Sequence, residues 1–114
     1  MSELAMGAIT AALDGLAARQ RIAAQNIANA DTPGYTAGRV NFEDSLKSAI
    51  DGNDFGGFKV AQSQSNDPAN PNGNNVSVDQ ENVSLVDTGL RFQLMTEAMN
   101  NQFHILKASI RRDS

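Results

Sequence analysis

The sequence predicts a mainly α-helical chain in which long N- and C-terminal helices pair as an antiparallel-type coiled coil around a loop-rich middle. Three observations support this fold class. Apolar residues recur at spacings of three and four near both ends, ten of the first thirty residues are Ala, and residues 61–75 are almost wholly polar with two prolines. Such spacing marks one face of a helix, Ala has the highest helix propensity, and polar Pro-containing segments form loops.

Residues 3–30 are predicted to form the first helix. One apolar stripe repeats like the a and d positions of a heptad, interrupted once by Gln20. Its apolar members are Met6, Ile9, Leu13, Leu16, Ala23, Ile27 and Ala30. A second stripe of small residues lies beside it and consists of Ala8, Ala11, Gly15 and Ala18. These small residues either reflect helix propensity alone or form a second face that a neighbouring subunit can approach closely.

The first helix is expected to end in a sharp turn within residues 29–35. Pro33 disfavours the helical conformation at Thr32, the residue before it. Pro33 and Gly34 suit the two central positions of a type II turn, in which glycine supplies the positive φ. The N-terminal segment is therefore taken as residues 1–35, comprising the helix and this turn.

The middle segment, residues 36–76, has few apolar residues and is expected to be variable and loop-rich. Val40 and Phe42 fit one short strand and Phe58–Val60 fit another, so the segment has room for a short β-hairpin. Residues 42–50 have the composition for one or two helical turns. Residues 61–75 are expected to be a linker or exposed loop, flexible unless a partner orders it.

The C-terminal segment, residues 77–114, is predicted to be a second long helix that begins near Val78. Ser77 and Gln80 have the spacing of a capping box. Acidic residues gather early in this helix and basic residues late, as the helix macrodipole favours. The apolar stripe consists of Phe92, Met95, Met99, Phe103, Leu106 and Ile110, with Val83, Val86 and Leu90 leading into it.

Composition disfavours several classes of function. The net charge of −4 and the isoelectric point of about 4.7 argue against general nucleic-acid binding, which needs a basic surface. No apolar run reaches the roughly 18 residues that span a bilayer. The segment Met1–Leu4 lacks the positive region that opens a secretory signal peptide.

No catalytic, cofactor-binding or metal-binding residue stands out, and we expect that the chain is not an enzyme. The absence of Cys excludes thiolate metal sites and a cysteine nucleophile. The lone His104 has no Ser or Asp nucleophile motif to accompany it, and the glycines form no phosphate-binding loop. Residues 51–62 begin like a calcium loop, but Phe55 and Gln62 stand where carboxylate ligands are needed.

The segment Asn26–Tyr35 reads Asn-Ile-Ala-Asn-Ala-Asp-Thr-Pro-Gly-Tyr and resembles the N-terminal signature of bacterial flagellar rod and hook proteins. Three further segments, 74–76, 90–92 and 95–103, are similar to proximal-rod members of that family. Their matching residues are Asn74, Asn75, Val76, Leu90, Arg91, Phe92, Met95, Thr96, Glu97, Ala98, Met99 and Phe103. The chain departs from the pattern after Val76, where the family often has an acidic stretch.

The resemblance implies a structural subunit of the flagellar basal-body rod, located in the periplasm. It implies export by the flagellar type III apparatus without a cleaved signal peptide, and self-assembly through the terminal helices. The rod then links the membrane ring to the distal rod and hook and transmits torque. The implied partners are further copies of the chain, FlgC-type rod subunits, the basal-body adaptor FliE and the membrane ring, with no nucleic acid and no cofactor.

The resemblance also assigns roles to residues. Asn26, Asn29 and Asp31 would cap or cross-link the turn through side-chain hydrogen bonds, and Pro33 and Gly34 would fix its geometry. The motif residues are Asn26, Ile27, Ala28, Asn29, Asp31, Thr32, Pro33, Gly34 and Tyr35. The packing residues would be Met6, Ile9, Leu13, Leu16, Ile27, Leu90, Phe92, Met95, Met99, Phe103, Leu106 and Ile110. The sequence does not divide them into intramolecular core and subunit contacts.

Other interpretations compete with the proximal-rod interpretation. Another rod subunit, of the FlgC type, shares the N-terminal signature. A soluble helical-hairpin adaptor or chaperone needs a stable fold of its own, which the scarcity of large apolar residues disfavours. An amphipathic helix lying on a membrane needs a basic polar face, and the first helix offers Arg19 and Arg21 alone.

Overall fold

The computed structural model of the chain describes residues 2–113. Within this range the order of elements is α1 (Ser2–Ala28), β1 (Gly38–Asn41), α2 (Glu43–Asp51), β2 (Ala61–Gln64) and α3 (Val78–Asp113). The described part measures 67 × 25 × 14 Å, so the molecule is elongated. The predicted fold class, mainly helical with long terminal helices, is confirmed.

The two long helices lie side by side and run in opposite directions. Gln20 of α1 faces Gly89 of α3, whereas Leu16, one turn earlier in α1, lies in the core cluster that contacts Phe92 and Met95 of α3. Moving towards the start of α1 therefore means moving towards the end of α3. The predicted pairing of the terminal helices is confirmed.

Both long helices have ends that their local sequence explains. α1 ends at Ala28, two residues earlier than predicted, because tighter turns follow in which Ala30 N–H bonds the Ile27 carbonyl at 3.1 Å. α3 begins at Val78 as predicted, and the Ser77 hydroxyl accepts the Gln80 backbone N–H at 3.3 Å. Ser77 thus caps the first turn of α3.

The middle of the chain contains a two-stranded antiparallel sheet. Gly38 pairs with Gln64 and Asn41 pairs with Ala61, and α2 connects the two strands. The prediction of a strand at Phe58–Val60 is wrong, because the strand lies at Ala61–Gln64. Phe58 and Val60 instead pack half-buried against the core. The side chains of β2 are exposed, so the position of this strand depends on its backbone pairing with β1.

The core is small. Its central cluster consists of Leu16 and Ala18 from α1 with Val40 and Phe42 from the middle segment. Six of the ten buried apolar residues in the described range are alanines. Because an alanine methyl buries little apolar area, this core supplies limited stability.

The small-residue stripe of α1 contacts the middle segment of the same chain. Ala11 and Ala18 are buried, and the Phe42 ring lies so close that a Cβ on Gly15 would be 2.3 Å from Phe42 Cγ. Two interpretations of this stripe were open, helix propensity alone and a face for a neighbouring subunit. Neither is needed to explain Gly15, because the Phe42 ring of the same chain packs against it. The close approach is intramolecular.

Candidate assembly site

The turn after α1 has the geometry that its sequence predicts. Gly34 has a φ of +75°, and the Tyr35 N–H donates to the Thr32 carbonyl at 3.2 Å. These are the features of a type II turn with Pro33 and Gly34 in its centre. The tip of this turn, residues 31–34, is exposed.

Asn26 ties the end of α1 to β1. Its side chain is 1% exposed, its Nδ2 donates to the Gly38 carbonyl at 3.0 Å, and its Oδ1 accepts the Gly38 N–H at 2.9 Å. A buried amide therefore satisfies both backbone groups of one residue in the sheet. This contact fixes where the middle segment returns to α1.

The other polar residues of the motif act locally. Asn29 Nδ2 donates to the Gln25 carbonyl at 2.9 Å, and Asn29 Oδ1 accepts the Thr32 hydroxyl at 3.2 Å. The first bond joins the last turn of α1 to the residue after the helix, and the second lies within the turn that follows. The Asp31 side chain is exposed and has no hydrogen bond or ion pair with the described part of the chain. Of the three side chains proposed to cap or cross-link the turn, Asn26 and Asn29 thus make hydrogen bonds.

Asn74 connects the segment before α3 to the turn after α1. The contacts of Asn26, Asn29, Asn74 and Asn75 around this turn are called the turn junction below. It is fully buried, and its Nδ2 donates to the carbonyls of Asn29 and Thr32 at 2.9 and 2.8 Å. Its Oδ1 accepts the Val76 N–H at 2.8 Å. The segment that precedes α3 is thereby held against the turn that follows α1.

Asn75 orders the polar loop that precedes it. Its Oδ1 accepts the Ala37 N–H at 2.7 Å, while its Nδ2 donates to the carbonyls of Ser65 and Asp67 at 3.3 and 3.2 Å. The prediction that residues 61–75 form a linker or exposed loop is therefore corrected in one part. Residues 61–64 form β2, whereas residues 66–73 are an exposed loop.

The roles of Asn74 and Asn75 were missed by sequence reasoning, although both residues helped to establish the family resemblance. Asparagine side chains readily bond to nearby backbone, which is the signal that was available. The partners of Asn74, however, lie 45 and 42 residues away in the sequence. Residue spacing along a polar loop cannot reveal such long-range pairs.

Two arginines form a charged network around the core. Arg19 donates to both carboxylate oxygens of Glu43 at 2.7 Å and to the Val40 carbonyl at 2.8 Å, and its guanidinium lies 4.8 Å from the Phe42 ring centre. The hydrogen bonds from Arg19 lower the pKa of Glu43 to about 2. Arg19 thus joins α1 to the strand and helix of the middle segment.

The second arginine, Arg39, joins β1 to α3. Its Nη1 donates to the nearly buried Glu81 at 2.9 Å, and its Nη2 donates to Asp67 at 3.3 Å. No buried side-chain nitrogen or oxygen in the described range lacks a hydrogen-bond partner. Arg39 therefore connects β1 both to the start of α3 and to the polar loop before it.

The predicted packing residues fall into two groups. Eight are buried or half-buried, namely Met6, Ile9, Leu13, Leu16, Ile27, Phe92, Met95 and Met99. The remaining four are about half exposed or more, namely Leu90 at 57%, Phe103 at 49%, Leu106 at 48% and Ile110 at 62%. The structure therefore leaves part of the apolar surface of α3 without an intramolecular partner.

Two exposed apolar stripes lie on α3. The outer stripe consists of Val83, Val86, Leu90 and Leu94, which are 52–75% exposed. Because successive residues in a helix are rotated by about 100°, Leu90 points almost opposite to Phe92, which packs against the core. The terminal stripe consists of Phe103, Leu106 and Ile110 and continues the core-facing side of α3 towards its C-terminus.

The described residues contain no group of three His, Cys, Asp or Glu side chains that could hold a metal ion. Over the same range, no helix is both long and apolar enough to cross a membrane. His104 is exposed on α3. The features that distinguish the surface are therefore the turn junction and the two apolar stripes.

The fold and these features define an elongated helix-pair protein that presents apolar helix faces. The family model described as "Flagella basal body rod protein" matches residues 5–36, which cover most of α1 and the turn. A FlgB basal body rod protein of Borreliella burgdorferi is 34% identical, with 84% of this chain and 85% of that protein covered. FlgB proteins of Bacillus subtilis and Escherichia coli are 30% and 32% identical over 78% and 80% of this chain.

The chain belongs to the family of flagellar basal body rod proteins, whose members are structural proteins of the flagellum. The similarity to the B. burgdorferi protein covers so much of the chain that it runs through the middle segment as well as both ends. The resemblance first seen in the turn and the C-terminal helix therefore extends to the middle segment, which lies between them in the sequence.

Proposed function

We propose that this chain is a FlgB-type subunit of the proximal rod, which assembles with its own copies and with FlgC-type subunits through the terminal helices. The observation that carries this proposal is the pair of exposed apolar stripes on α3. Contiguous exposed apolar surface on a small protein marks an interaction site, and each large apolar side chain that becomes fully buried contributes about 1.5–3 kcal/mol.

The turn junction gives the subunit a defined shape before its stripes meet a neighbour. Asn26, Asn74 and Asn75 hold the end of α1, the sheet and the start of α3 together through partly buried hydrogen bonds. A rigid junction fixes the direction of the long helices, so that each copy presents its stripes in the same orientation. We infer that Pro33 and Gly34 serve this purpose by fixing the turn.

Torque transmission follows from many such contacts acting together. In a rod of repeated subunits, each helix face shares the load with its neighbours, so that no single contact carries all of it. On this proposal the rod links the membrane ring to the distal rod and hook, and the adaptor FliE joins its proximal end. The subunit reaches the periplasm through the flagellar type III export apparatus.

Mass spectrometry of purified, detergent-resistant basal bodies from the source bacterium tests this proposal. We expect the chain at a stoichiometry comparable with that of other rod proteins. A strain that lacks its gene supplies the control, and restoring the gene should restore both the peptide signals and swimming. Absence of the chain from basal bodies in which other rod proteins are detected would refute the proposal.

A further inference from the structure

The exposed loop before α3 contains the one Asn-Gly pair in the sequence, Asn72-Gly73. In such a pair the glycine nitrogen can attack the asparagine side-chain carbon, because glycine has no Cβ to obstruct the approach. Both residues are exposed, so water reaches them. The loop therefore carries the groups for a spontaneous reaction of the chain with water, the deamidation of Asn72.

Deamidation has two steps, and water is its only co-reactant. Gly73 N loses its proton to solvent and bonds to Asn72 Cγ, while the Cγ–Nδ2 bond breaks and the side-chain nitrogen takes up a proton and leaves as ammonia. Water then opens the cyclic succinimide. Opening at Cγ gives aspartate, whereas opening at the main-chain carbonyl gives isoaspartate, in which the chain runs through Cβ and Cγ. The net reaction converts one amide and one water into one carboxylic acid and one ammonia.

The folded chain holds both reacting residues in hydrogen bonds. Gly73 N–H donates to the Asn70 carbonyl at 2.8 Å. Asn72 Oδ1 accepts the Asn74 N–H at 3.0 Å, and the Asn72 carbonyl accepts the Gly34 N–H at 2.9 Å. The succinimide nitrogen carries no hydrogen, so the bond from Gly73 to Asn70 must break before the ring can form.

The loop around these residues is fastened to the turn after α1. Asn74 is fully buried, and its side chain donates to the carbonyls of Asn29 and Thr32. Gly34 lies so close to Gly73 that a Cβ on Gly73 would be 3.2 Å from Gly34 Cα. The contacts that restrain the reacting pair therefore belong to the turn junction or lie directly beside it.

We propose that Asn72 is a deamidation site that the turn junction protects. The reaction proceeds from chains in which the loop has separated from the turn, and from unfolded chains. When opening is fast relative to the chemistry, the rate follows the open population, as it does for proteolysis of locally opened segments. The stability of the turn junction therefore sets the lifetime of Asn72.

The isoaspartate product does not fit the closed loop. It adds one methylene group to the main chain between Asn72 and Gly73, next to the buried Asn74. The added length displaces the Gly73 N–H from the Asn70 carbonyl or Asn74 from its partners in the turn. A chain that has reacted therefore keeps a weakened turn junction, and the reaction records that the loop has opened.

Peptide mapping by mass spectrometry measures the reaction, which needs no neighbouring subunit. The full-length chain is incubated in mildly alkaline buffer with and without guanidinium chloride, and the peptide containing Asn72 is followed as its aspartate and isoaspartate forms separate by chromatography. We expect conversion to be at least about tenfold slower without denaturant. A synthetic peptide of residues 68–78 is the control for the denaturant itself. Native conversion as fast as that of the peptide would overturn the inference.

Two variants separate local opening from global unfolding. Asn74→Ala removes the side-chain bonds to the turn, whereas Leu16→Ala weakens the core cluster. Conversion is compared at denaturant concentrations that give both variants the same folded fraction by circular dichroism. We expect Asn74→Ala to convert at least about tenfold faster, since one lost buried hydrogen-bond partner changes an opening equilibrium by about that factor. Equal rates would show that global unfolding alone exposes Asn72 and would overturn the inference.

The stability of the product supplies an independent measurement, which remains decisive if Asn74→Ala does not fold. The isoaspartyl chain is separated from the native chain and unfolded with urea. We expect its unfolding midpoint to be lower than that of the native chain, because the turn junction no longer closes. An unchanged midpoint would contradict the coupling between Asn72 and the turn junction.

Discussion

At the scale of single residues, buried side-chain amides make the long-range contacts that join α1, the sheet and the start of α3. Asn26 and Asn74 are among the largest fully buried side chains in the described range. Asn26 reaches the backbone of Gly38, twelve residues away, and Asn74 reaches that of Asn29 and Thr32, 45 and 42 residues away. Because an unsatisfied buried backbone group is costly, these two residues specify the junction more sharply than apolar contacts would.

Replacing Asn74 should destabilise the fold. Asn74→Ala leaves the carbonyls of Asn29 and Thr32 and the Val76 N–H without their side-chain partner, and we expect a loss of about 2–4 kcal/mol in unfolding free energy. Urea denaturation followed by circular dichroism measures it. Asn70→Ala is the matched control in the same loop, since the Asn70 side chain is exposed, and it should change stability by less than about 0.5 kcal/mol.

Two glycines in long helices should respond oppositely to the same substitution. Gly15→Ala places a methyl group 2.3 Å from Phe42 Cγ, and the core must shift at a cost of about 1–3 kcal/mol. Gly89→Ala meets only Gln20 Nε2 at 3.8 Å, so helix propensity should stabilise the chain by up to about 1 kcal/mol. Thermal unfolding measures both variants. Equal effects would contradict the intramolecular packing of Phe42 on α1.

At the scale of elements, Arg19 is the residue that connects α1 with β1 and α2. Its bonds to Glu43 hold the pKa of that carboxyl near 2, below its ordinary value of 4.5. Ionised Glu43 therefore stabilises the fold above about pH 4.5, and this contribution is lost as the pH falls from 4.5 towards 2. The Glu43 side chain is 59% exposed, so the contribution should be below about 1 kcal/mol.

The pH dependence of stability tests this connection. Glu43→Gln should lower stability slightly at neutral pH and lose less stability than the native chain between about pH 6 and pH 2.5, because its side chain cannot be protonated. Asp44→Asn is the control, since Asp44 makes no ion pair within the described residues, and it should follow the native profile. Urea unfolding at a series of pH values gives the comparison. Parallel profiles for all three proteins would contradict a stabilising role for the Arg19–Glu43 pair.

At the scale of the whole molecule, substitutions at the C-terminal end of α3 should affect assembly without affecting the stability of the core and the turn junction. Residues 103–112 are exposed throughout, whereas the core cluster and the junction lie elsewhere. A chain with Phe103→Ser, Leu106→Ser and Ile110→Ser keeps the full length of the helix but removes the terminal stripe. We expect its unfolding free energy to stay within about 1 kcal/mol of the native value, while its incorporation into basal bodies is lost.

Thermal unfolding and quantitative mass spectrometry of basal bodies measure these two effects separately. Leu16→Ala is the contrasting variant, because Leu16 is 4% exposed in the core and its truncation should cost about 2–5 kcal/mol. If the triple serine variant unfolds as readily as Leu16→Ala, the terminal stripe belongs to the intramolecular core. That result would remove one of the two exposed apolar surfaces on which the proposed assembly depends.

The success of sequence reasoning differed between elements for physical reasons. The long helices were predictable because apolar spacing, alanine content and the Ser77 cap all act locally. The Pro33–Gly34 turn was predictable for the same reason. β2 was not, because its four exposed residues carry no apolar alternation and pair only with a distant strand. The network of Asn74, Asn75 and Arg19 escaped prediction because its members meet through long-range contacts.

Neighbouring residues and composition were enough to predict the helical class, the place of the turn, the net negative charge and the family resemblance. The apolar residues that face inward could be identified from the folded chain alone. Gly15 and Leu16 lie next to each other and both pack in the core, whereas Leu90 and Phe92, two residues apart on α3, face opposite sides. Periodicity shows that a helix has apolar faces, but which face is covered depends on elements that the chain brings back from far along its length.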